Sequence, residues 1–303
     1  MQALLRDIPM NIRGALTWSG KSLSALDGGS PRLDAEILLA FVLKKPRSHL
    51  HAWPERELPD RDEQRFRELI AQRLNGRPLA YITGTREFWS LELAVNESVL
   101  IPRPETELLV ERALELLPPQ QTALVADLGT GSGAIAAAVA RERPNARLIA
   151  VDNAPPALAV AEGNFRRLGL SSIQARLGHW CDAFHESERF DLILSNPPYI
   201  AEADPHLEQG DLPAEPRSAL ASGTDGLDAI RLILAGAPPW LKPDGWLLIE
   251  HGYDQGAAVR RLFSQAGLER VQTHRDLEGR ERMTEGRLRH GMPASEATQE
   301  LRT

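Results

Sequence analysis

Residues 123–152 read ALVADLGTGSGAIAAAVARERPNARLIAVD. The stretch opens on a short apolar run, ALVAD, of the kind that fills a strand buried on both faces. Three glycines, Gly129, Gly131 and Gly133, fall within the next six residues, and AIAAAVARER then has the alanine content of a helix. A second apolar run, RLIAVD, ends on Asp152, 19 residues past Gly133. Strand, glycine turn, helix and strand in this order form a crossover unit, and such units join parallel neighbouring strands with right-handed chirality.

The alternation continues outward. ETELLVERALELL (105–117) precedes it as a helix. PPALAVAEGNFRRLG (155–169) is a helix, SIQARLG (172–178) a third strand and FDLILS (190–195) a fourth. LDAIRLILAGAPPWL (227–241) is a helix, WLLIEH (246–251) a fifth strand, AAVRRLFSQAG (257–267) a helix, and LERVQTH (268–274) and RMTEGRLRH (282–290) close as strands. The last two lack a helix between them, so the final strand is expected to run antiparallel in a mostly parallel α/β sheet.

Residues 1–80 read differently, as a small all-helical domain. Pro31 sits where a first helical turn tolerates proline, and Asp60 or Asp62 is expected to cap a helix carrying Phe66, Leu69, Ile70 and Leu74 at helical spacing. Asn75-Gly76 should stop that helix. Between the two domains, residues 81–103 change period. EFWSLELAV alternates, Asn96-Glu97-Ser98 follows, and VLI resumes, which predicts a β-hairpin linker ended by Pro102 and Pro104. The sheet domain is then 104–290, and 291–303 is a polar tail expected to be disordered.

The 303 residues match a two-domain prior. A formal net charge of −7 argues against a protein built to coat nucleic acid. The charge is uneven: residues 1–80 hold 13 Lys and Arg against 10 Asp and Glu, a balance of +3, while the rest hold 22 against 32, a balance of −10. The single cysteine, Cys181, excludes an internal disulfide and a multi-cysteine zinc site, and no metal is called for. No run approaches the length of a membrane helix, the start lacks the pattern of a signal peptide, and no DNA-reading helix-turn-helix stands out, so a cytoplasmic protein is expected.

Two segments carry chemistry. The first is the glycine turn, where bare peptide lets a ligand lie against the backbone, and Asp152 is placed to accept two ribose hydroxyl protons. Gly129, Gly131 and Ala134 fit the dinucleotide pattern G-x-G-x-x-A, whereas Asp127 ahead of the glycines fits S-adenosylmethionine, whose ammonium that carboxylate can face. Taken alone, the turn leaves both ligands open. The second segment is Asn196-Pro197-Pro198-Tyr199, at the end of the fourth strand. The prolines stiffen the loop and donate no amide protons, so the Asn196 side-chain oxygen and the Pro197 carbonyl form a fixed pair of acceptors beside the Tyr199 ring. That arrangement suits a planar NH₂ group, holding a delocalised nitrogen in orientation and stabilising the positive charge that develops as it attacks. Next to a glycine-rich nucleotide loop, it points to methyl transfer from S-adenosylmethionine to nitrogen.

With these motifs the chain resembles the release factor glutamine methyltransferases, a family of class I methyltransferases with a Rossmann-like sheet. The resemblance is carried by PRLDAEILLA (31–40), GTREFWSL (84–91), LIPRPETE (100–107), DLGTGSGAIA (127–136), LSNPPYI (194–200), DPHLEQGD (204–211), LLIEHG (247–252) and MTEGR (283–287). It implies methylation of the glutamine side chain in the Gly-Gly-Gln motif of class-I peptide chain release factors, with modulation of translation termination. It also implies a helical N-terminal domain that recognises the substrate. Carried over residue by residue, Asp127, Gly129, Thr130, Gly131, Ser132, Gly133, Asp152, Trp180 and Asn196 would hold the cofactor. Asn196, Pro197, Pro198 and Tyr199 would bind the glutamine, with Asn196, Pro197 and Tyr199 as the catalytic set. Gly178-His179 ahead of Trp180 departs from the family's usual acid-then-Trp order, which leaves Asp182 a weaker candidate. Phe88, Trp89, Arg103 and Glu105 border the same region by this resemblance but read equally as hairpin packing and a helix start. Glu250-His251 and Cys181 read as structural. The expected partner is a release factor met by a monomer, with no direct nucleic-acid contact and no membrane. The competing readings are a ribosomal-protein glutamine methyltransferase, an adenine-amino methyltransferase disfavoured by the acidic sheet domain, and a non-catalytic nucleotide-binding module.

Overall fold

A computed structural model describes residues 11–26 and 30–289, so the expected disorder of 291–303 lies outside the described residues. The described chain divides into two compact units, one of residues up to Gly84 together with Glu208–Ala214, the other of Thr85–Leu207 and the residues from Glu215 onward.

The first unit is helical: α1 (Ile12–Leu23), α2 (Pro31–Leu43), α3 (Arg47–Ala52), α4 (Asp60–Leu74) and α5 (Leu79–Thr83). Asn11 caps α1 by accepting from the Gly14 amide at 2.8 Å, and Pro31 does occupy the first turn of α2. The capping expected from Asp60 or Asp62 is not found. Pro59 holds the cap position of α4 without a side-chain bond, and Asp60, Asp62 and Glu63 lie inside the first turn. There they face the positive helix end, which is what carboxylates offer once a proline has already set the entry angle. Ile12, Leu38, Leu39, Phe66 and Ile70 form the fully enclosed centre of the unit. Arg73 on α4 reaches Asp34 at 2.9 Å and, from the distant segment, Asp211 at 2.6 Å.

The second unit begins with a hairpin, β1 (Thr85–Phe88) and β2 (Leu91–Ala94), pairing Phe88 with Leu91. The turn is Trp89-Ser90, not the expected Asn96-Glu97-Ser98. Both turn residues take left-handed backbone, with φ of 52° and 57°. Neither is a usual choice there, but the strained amides are held: Glu107 accepts from Trp89 at 2.9 Å and Glu87 from Ser90 at 2.7 Å. The sheet domain follows as α6 (Glu107–Leu116), β3 (Leu124–Leu128), α7 (Ala134–Glu142), β4 (Arg147–Asp152), α8 (Pro155–Leu168), β5 (Ile173–Leu177) and β6 (Phe190–Ser195). It ends with α9 (Asp228–Gly236), β7 (Leu241–Glu250), α10 (Gly256–Gln265), β8 (Leu268–Arg275) and β9 (Glu281–Leu288).

The seven strands lie in the order β5-β4-β3-β6-β7-β9-β8, and β9 runs antiparallel between β7 and β8, as the missing crossover predicted. Side chains alternate across β3 and β6. Val125, Leu192 and Leu194 face the layer that includes α6 and α7, whereas Ala126, Leu128 and Ile193 face the α9 and α10 layer. Ala134–Ala140 of α7 is buried throughout, the small side chains allowing helix and sheet backbones to approach. The chain direction across the sheet reverses between β3 and β6. An open α/β sheet has its crevice at that switch point, beyond the carboxyl ends of the strands.

Candidate active site

The turn leaving β3 spends its three glycines on left-handed backbone, with φ of 73° at Gly129, 55° at Gly131 and 83° at Gly133. A Cβ on Gly133 would stand 2.5 Å from the Phe165 ring of α8, whereas one on Gly131 would meet nothing within 4 Å. The first glycine therefore serves the turn, the last serves packing, and the middle one leaves bare peptide facing open space. Behind the turn lies Asp127, with no exposed surface. Its Oδ2 accepts from the Thr130 hydroxyl at 2.7 Å and the Ala136 amide at 3.2 Å, while Oδ1 has no partner. Burial, with Asp152 nearby adding to it, raises the carboxyl to about 6. Asp152, at the end of β4, accepts from the Gly131 amide at 2.8 Å and the Ala154 amide at 2.9 Å, which fixes it against the turn. Each oxygen retains a lone pair for a further donor.

These groups open on a cleft. Gly129, Thr130, Gly131, Ser132, Asp152 and Trp180 line it, together with Asn196, Pro197 and Pro198 from the loop after β6. Asp127, Gly133 and Tyr199 do not; they stand behind the lining. Trp180 takes left-handed backbone, φ 51°, and its indole Nε1 is buried without an acceptor. His179, the residue that breaks the family's usual order, lies with its ring 5.5 Å from the indole and also lines the cleft.

The Asn196 carboxamide donates from Nδ2 to the Thr106 hydroxyl oxygen at 3.0 Å, and its Oδ1 is buried with no partner. A fixed acceptor without a protein partner is open to a donor brought by a ligand. Tyr199 turns its hydroxyl away, donating to Glu250 Oε1 at 3.3 Å, and its carbonyl accepts from Gln255 Nε2 at 2.9 Å. Burial pushes the Tyr199 phenol up, with Glu250 adding to the effect, so it stays protonated.

Three contributors were not legible in the motifs. Thr106, inside LIPRPETE, holds the Asn196 amide. Glu215 is buried, accepts from the Ile101 amide at 3.0 Å and pairs with Arg103, tying Pro216, Ser218 and Ala219 of the cleft wall to that same segment. Glu250 contacts Tyr199 from the end of β7. For Thr106 and Glu250 the signal in the chain is membership of LIPRPETE and of LLIEHG, the latter at the end of β7; Glu215 lies in neither. Cys181 packs as an apolar filler, its thiol pushed up to about 12 by burial, and Asp182 does not line the cleft.

A model of the PrmC N-terminal domain matches residues 14–84, and one of the Methyltransferase small domain matches 105–214. The release factor glutamine methyltransferase of Xylella fastidiosa strain Temecula1 is 53% identical over 256 residues, 84% of this chain and 93% of that one. Its namesakes from Pseudomonas aeruginosa and Salmonella typhimurium are 54% and 46% identical, over 86% and 89% of this chain and 94% and 98% of theirs. Among solved structures, the delta-N METTL16 MTase domain shares the sheet fold with a TM-score of 0.51 at 18% identity, covering 66% of this chain and 89% of that one. Identity this high over most of both chains places this protein in the release factor glutamine methyltransferase family.

Proposed function

We propose that this protein transfers a methyl group from S-adenosylmethionine to the side-chain amide nitrogen (N5) of the glutamine in the Gly-Gly-Gln motif of class-I peptide chain release factors. The observation that carries the chemistry is Asn196 Oδ1: buried, without a partner, and held by Thr106 at the wall of the cleft. An acceptor so placed suits a hydrogen-bond donor such as an amide N–H. The two prolines beside it add carbonyls and no competing amide protons. The release factor as substrate is supported by the activity named for relatives that match nearly their whole length.

The residues present fit the cofactor. Three orphaned polar atoms surround the turn and cleft: Asp127 Oδ1, Trp180 Nε1 and Asn196 Oδ1. With its carboxyl at about 6, Asp127 is anionic at neutral pH and suits an ammonium. Asp152 suits a ribose diol, Gly131 admits a ligand against bare peptide, and Trp180 offers an indole face and a free donor. When bound, S-adenosylmethionine supplies an electrophilic methyl group on a sulfonium. The protein's part is positioning and electrostatics: Asn196 Oδ1 and the Pro197 carbonyl orient the amide nitrogen and stabilise the charge it gains. The helical unit, with its balance of +3, is the candidate to recognise the release factor. A monomer in the cytoplasm, acting without nucleic acid, completes this reading; among the described residues no helix is long and apolar enough to cross a membrane.

The test is incubation with labelled S-adenosylmethionine and a release factor whose motif glutamine is intact or replaced. Label should enter the intact factor alone. Equal labelling of both, or labelling of an oligonucleotide instead, overturns the reading.

A further inference from the structure

We infer that Gln255 is a positioning residue: by holding the Tyr199 carbonyl, it fixes the Asn-Pro-Pro-Tyr loop whose acceptors orient the glutamine amide. The inference rests on the proposed function and adds the group that keeps those acceptors in place. Pro197 and Pro198 have no N–H, so the middle of the loop donates no main-chain hydrogen bond of its own. It is held from its two ends. On the upstream side the Ser195 hydroxyl donates to the Leu128 carbonyl at 2.7 Å, and Asn196 Nδ2 donates to Thr106 at 3.0 Å. On the downstream side the Tyr199 carbonyl accepts from Gln255 Nε2 at 2.9 Å, and the Ile200 amide donates to the Leu220 carbonyl at 2.9 Å. The Tyr199 hydroxyl reaches Glu250 at 3.3 Å, long for an O–H···O bond, so the carbonyl is the closer tie.

Gln255 stands at the N-cap of α10, yet its side chain does not cap that helix. It turns back instead. Oε1 accepts from the Gly252 amide at 2.8 Å, while Nε2 donates to Tyr199 and, at 3.3 Å, to the Asp225 carbonyl. All three partners are main-chain groups of fixed polarity, an N–H on one side and two carbonyls on the other. The carboxamide therefore has a single orientation. One side chain thus joins the loops after β6, after β7 and before α9.

Both flanks of this tie are built closely. The Gly252 carbonyl accepts from the Gln255 amide at 3.0 Å and meets His251 Nδ1 at 2.9 Å. His251, with no exposed surface, reaches Thr284 of β9 through Nε2 at 2.8 Å, which secures the turn to the sheet. On the other flank Gly226 has φ of 75°, and a Cβ there would stand 2.2 Å from the Tyr199 oxygen and 2.8 Å from Gln255 Nε2. Only glycine lets the turn before α9 close on that oxygen. Neither Gln255 nor Tyr199 lines the cleft, so Gln255 acts through the loop. The Tyr199 carbonyl is two peptide units beyond that of Pro197. The intervening prolines, with φ locked at about −65°, pass a displacement along rather than absorb it.

The experiment is steady-state kinetics on a release factor at saturating S-adenosylmethionine, with calorimetry of the cofactor, for wild type, Gln255→Met and Gln255→Glu. Q255M keeps the length and removes both ties. Its kcat should fall about ten- to a hundredfold, with KM for the release factor and cofactor affinity near wild type. Q255E keeps an acceptor for Gly252 but sets a carboxylate oxygen against the Tyr199 carbonyl; once protonated, it can donate again. Its kcat relative to wild type should be low at about pH 8 and rise at least about threefold toward about pH 5, while the Q255M ratio stays flat. The charged groups around this turn are Asp225, paired with Arg231, Arg260, paired with Glu281, the exposed Asp254, and His251, whose pKa burial lowers. They are common to wild type and variants, so the ratio removes their own titration. Wild-type kcat in Q255M overturns the inference, as does a loss confined to KM or to cofactor affinity. A pH-independent Q255E ratio overturns it too, and decides the matter if Q255M does not fold. A wild-type protein that labels no release factor at all overturns the proposed function itself.

Discussion

Asp127 shows what a single buried charge does here. Its folded value of about 6 stands above the roughly 3.9 of an unfolded aspartate, so between those values the native state keeps a proton that the unfolded chain releases. Its contribution is therefore most favourable below about 3.9 and declines as pH rises through about 6, by at most roughly 3 kcal/mol. Asp127→Asn removes the titration. Urea unfolding of the ligand-free protein should show D127N gaining on wild type as pH goes from about 4.5 to about 7; a difference independent of pH contradicts the burial account. Asp127 was legible in the sequence as a site residue because it lies in one contiguous stretch with its glycines. Asn196 was legible for the same reason. The partners of Thr106 and Glu250 are not legible in the sequence, because each pairs with a residue far away in the chain: Thr106 and Asn196 are 90 positions apart, Glu250 and Tyr199 51. Pairings of that range become visible only when the sheet is assembled.

Among elements, the hairpin, α8 and the glycine turn are joined by one side chain. Asn164, with no exposed surface, accepts from the Ala94 amide at 2.8 Å and donates to the carbonyls of Ala94 at 3.0 Å and Ser132 at 2.9 Å. Replacing Asn164 with Ala leaves buried peptide groups unpaired and should cost about 2–4 kcal/mol in chemical denaturation. Cofactor affinity, read by calorimetry, should fall as well, since Ser132 belongs to the turn; an N164A protein of wild-type stability contradicts this assignment. The order of strands and helices was readable from period alone, since alternating buried strands and alanine-rich helices leave little choice. The hairpin turn was not. Trp89-Ser90 lacks the Asn-Gly chemistry that marks such turns, and its left-handed backbone is stabilised by carboxylates of Glu87 and Glu107, the second of which lies 18 residues away. The start of α4 was misplaced for a related reason: Pro59 occupies the cap, leaving the aspartates to the first turn.

At the scale of the whole molecule, the helical unit is not one stretch of chain. Glu208–Ala214 groups with it across 123 intervening residues of the other unit, and Arg73, 8% exposed, secures the segment to Asp34 through Asp211. Arg73→Met keeps the volume and strips both carboxylates of their partner. It should cost about 2–3 kcal/mol, below the 3–5 of a fully buried pair because Asp211 is one-third exposed, and should make the 208–214 segment more sensitive to limited proteolysis. Unchanged proteolysis contradicts that role. Composition announced two units of unequal charge, but no periodic signal could reveal that the second lends a segment to the first. The central claim, however, rests on one amide oxygen at the sheet's switch point. Its most direct test is tandem mass spectrometry of a release factor treated with S-adenosylmethionine and either wild type or Asn196→Ala, alongside calorimetry of both with the cofactor. The prediction is a single methyl group on the glutamine of Gly-Gly-Gln with wild type, at least about a hundredfold less with N196A, and cofactor binding that persists in N196A. Methylation at another residue, or undiminished methylation by N196A, contradicts it.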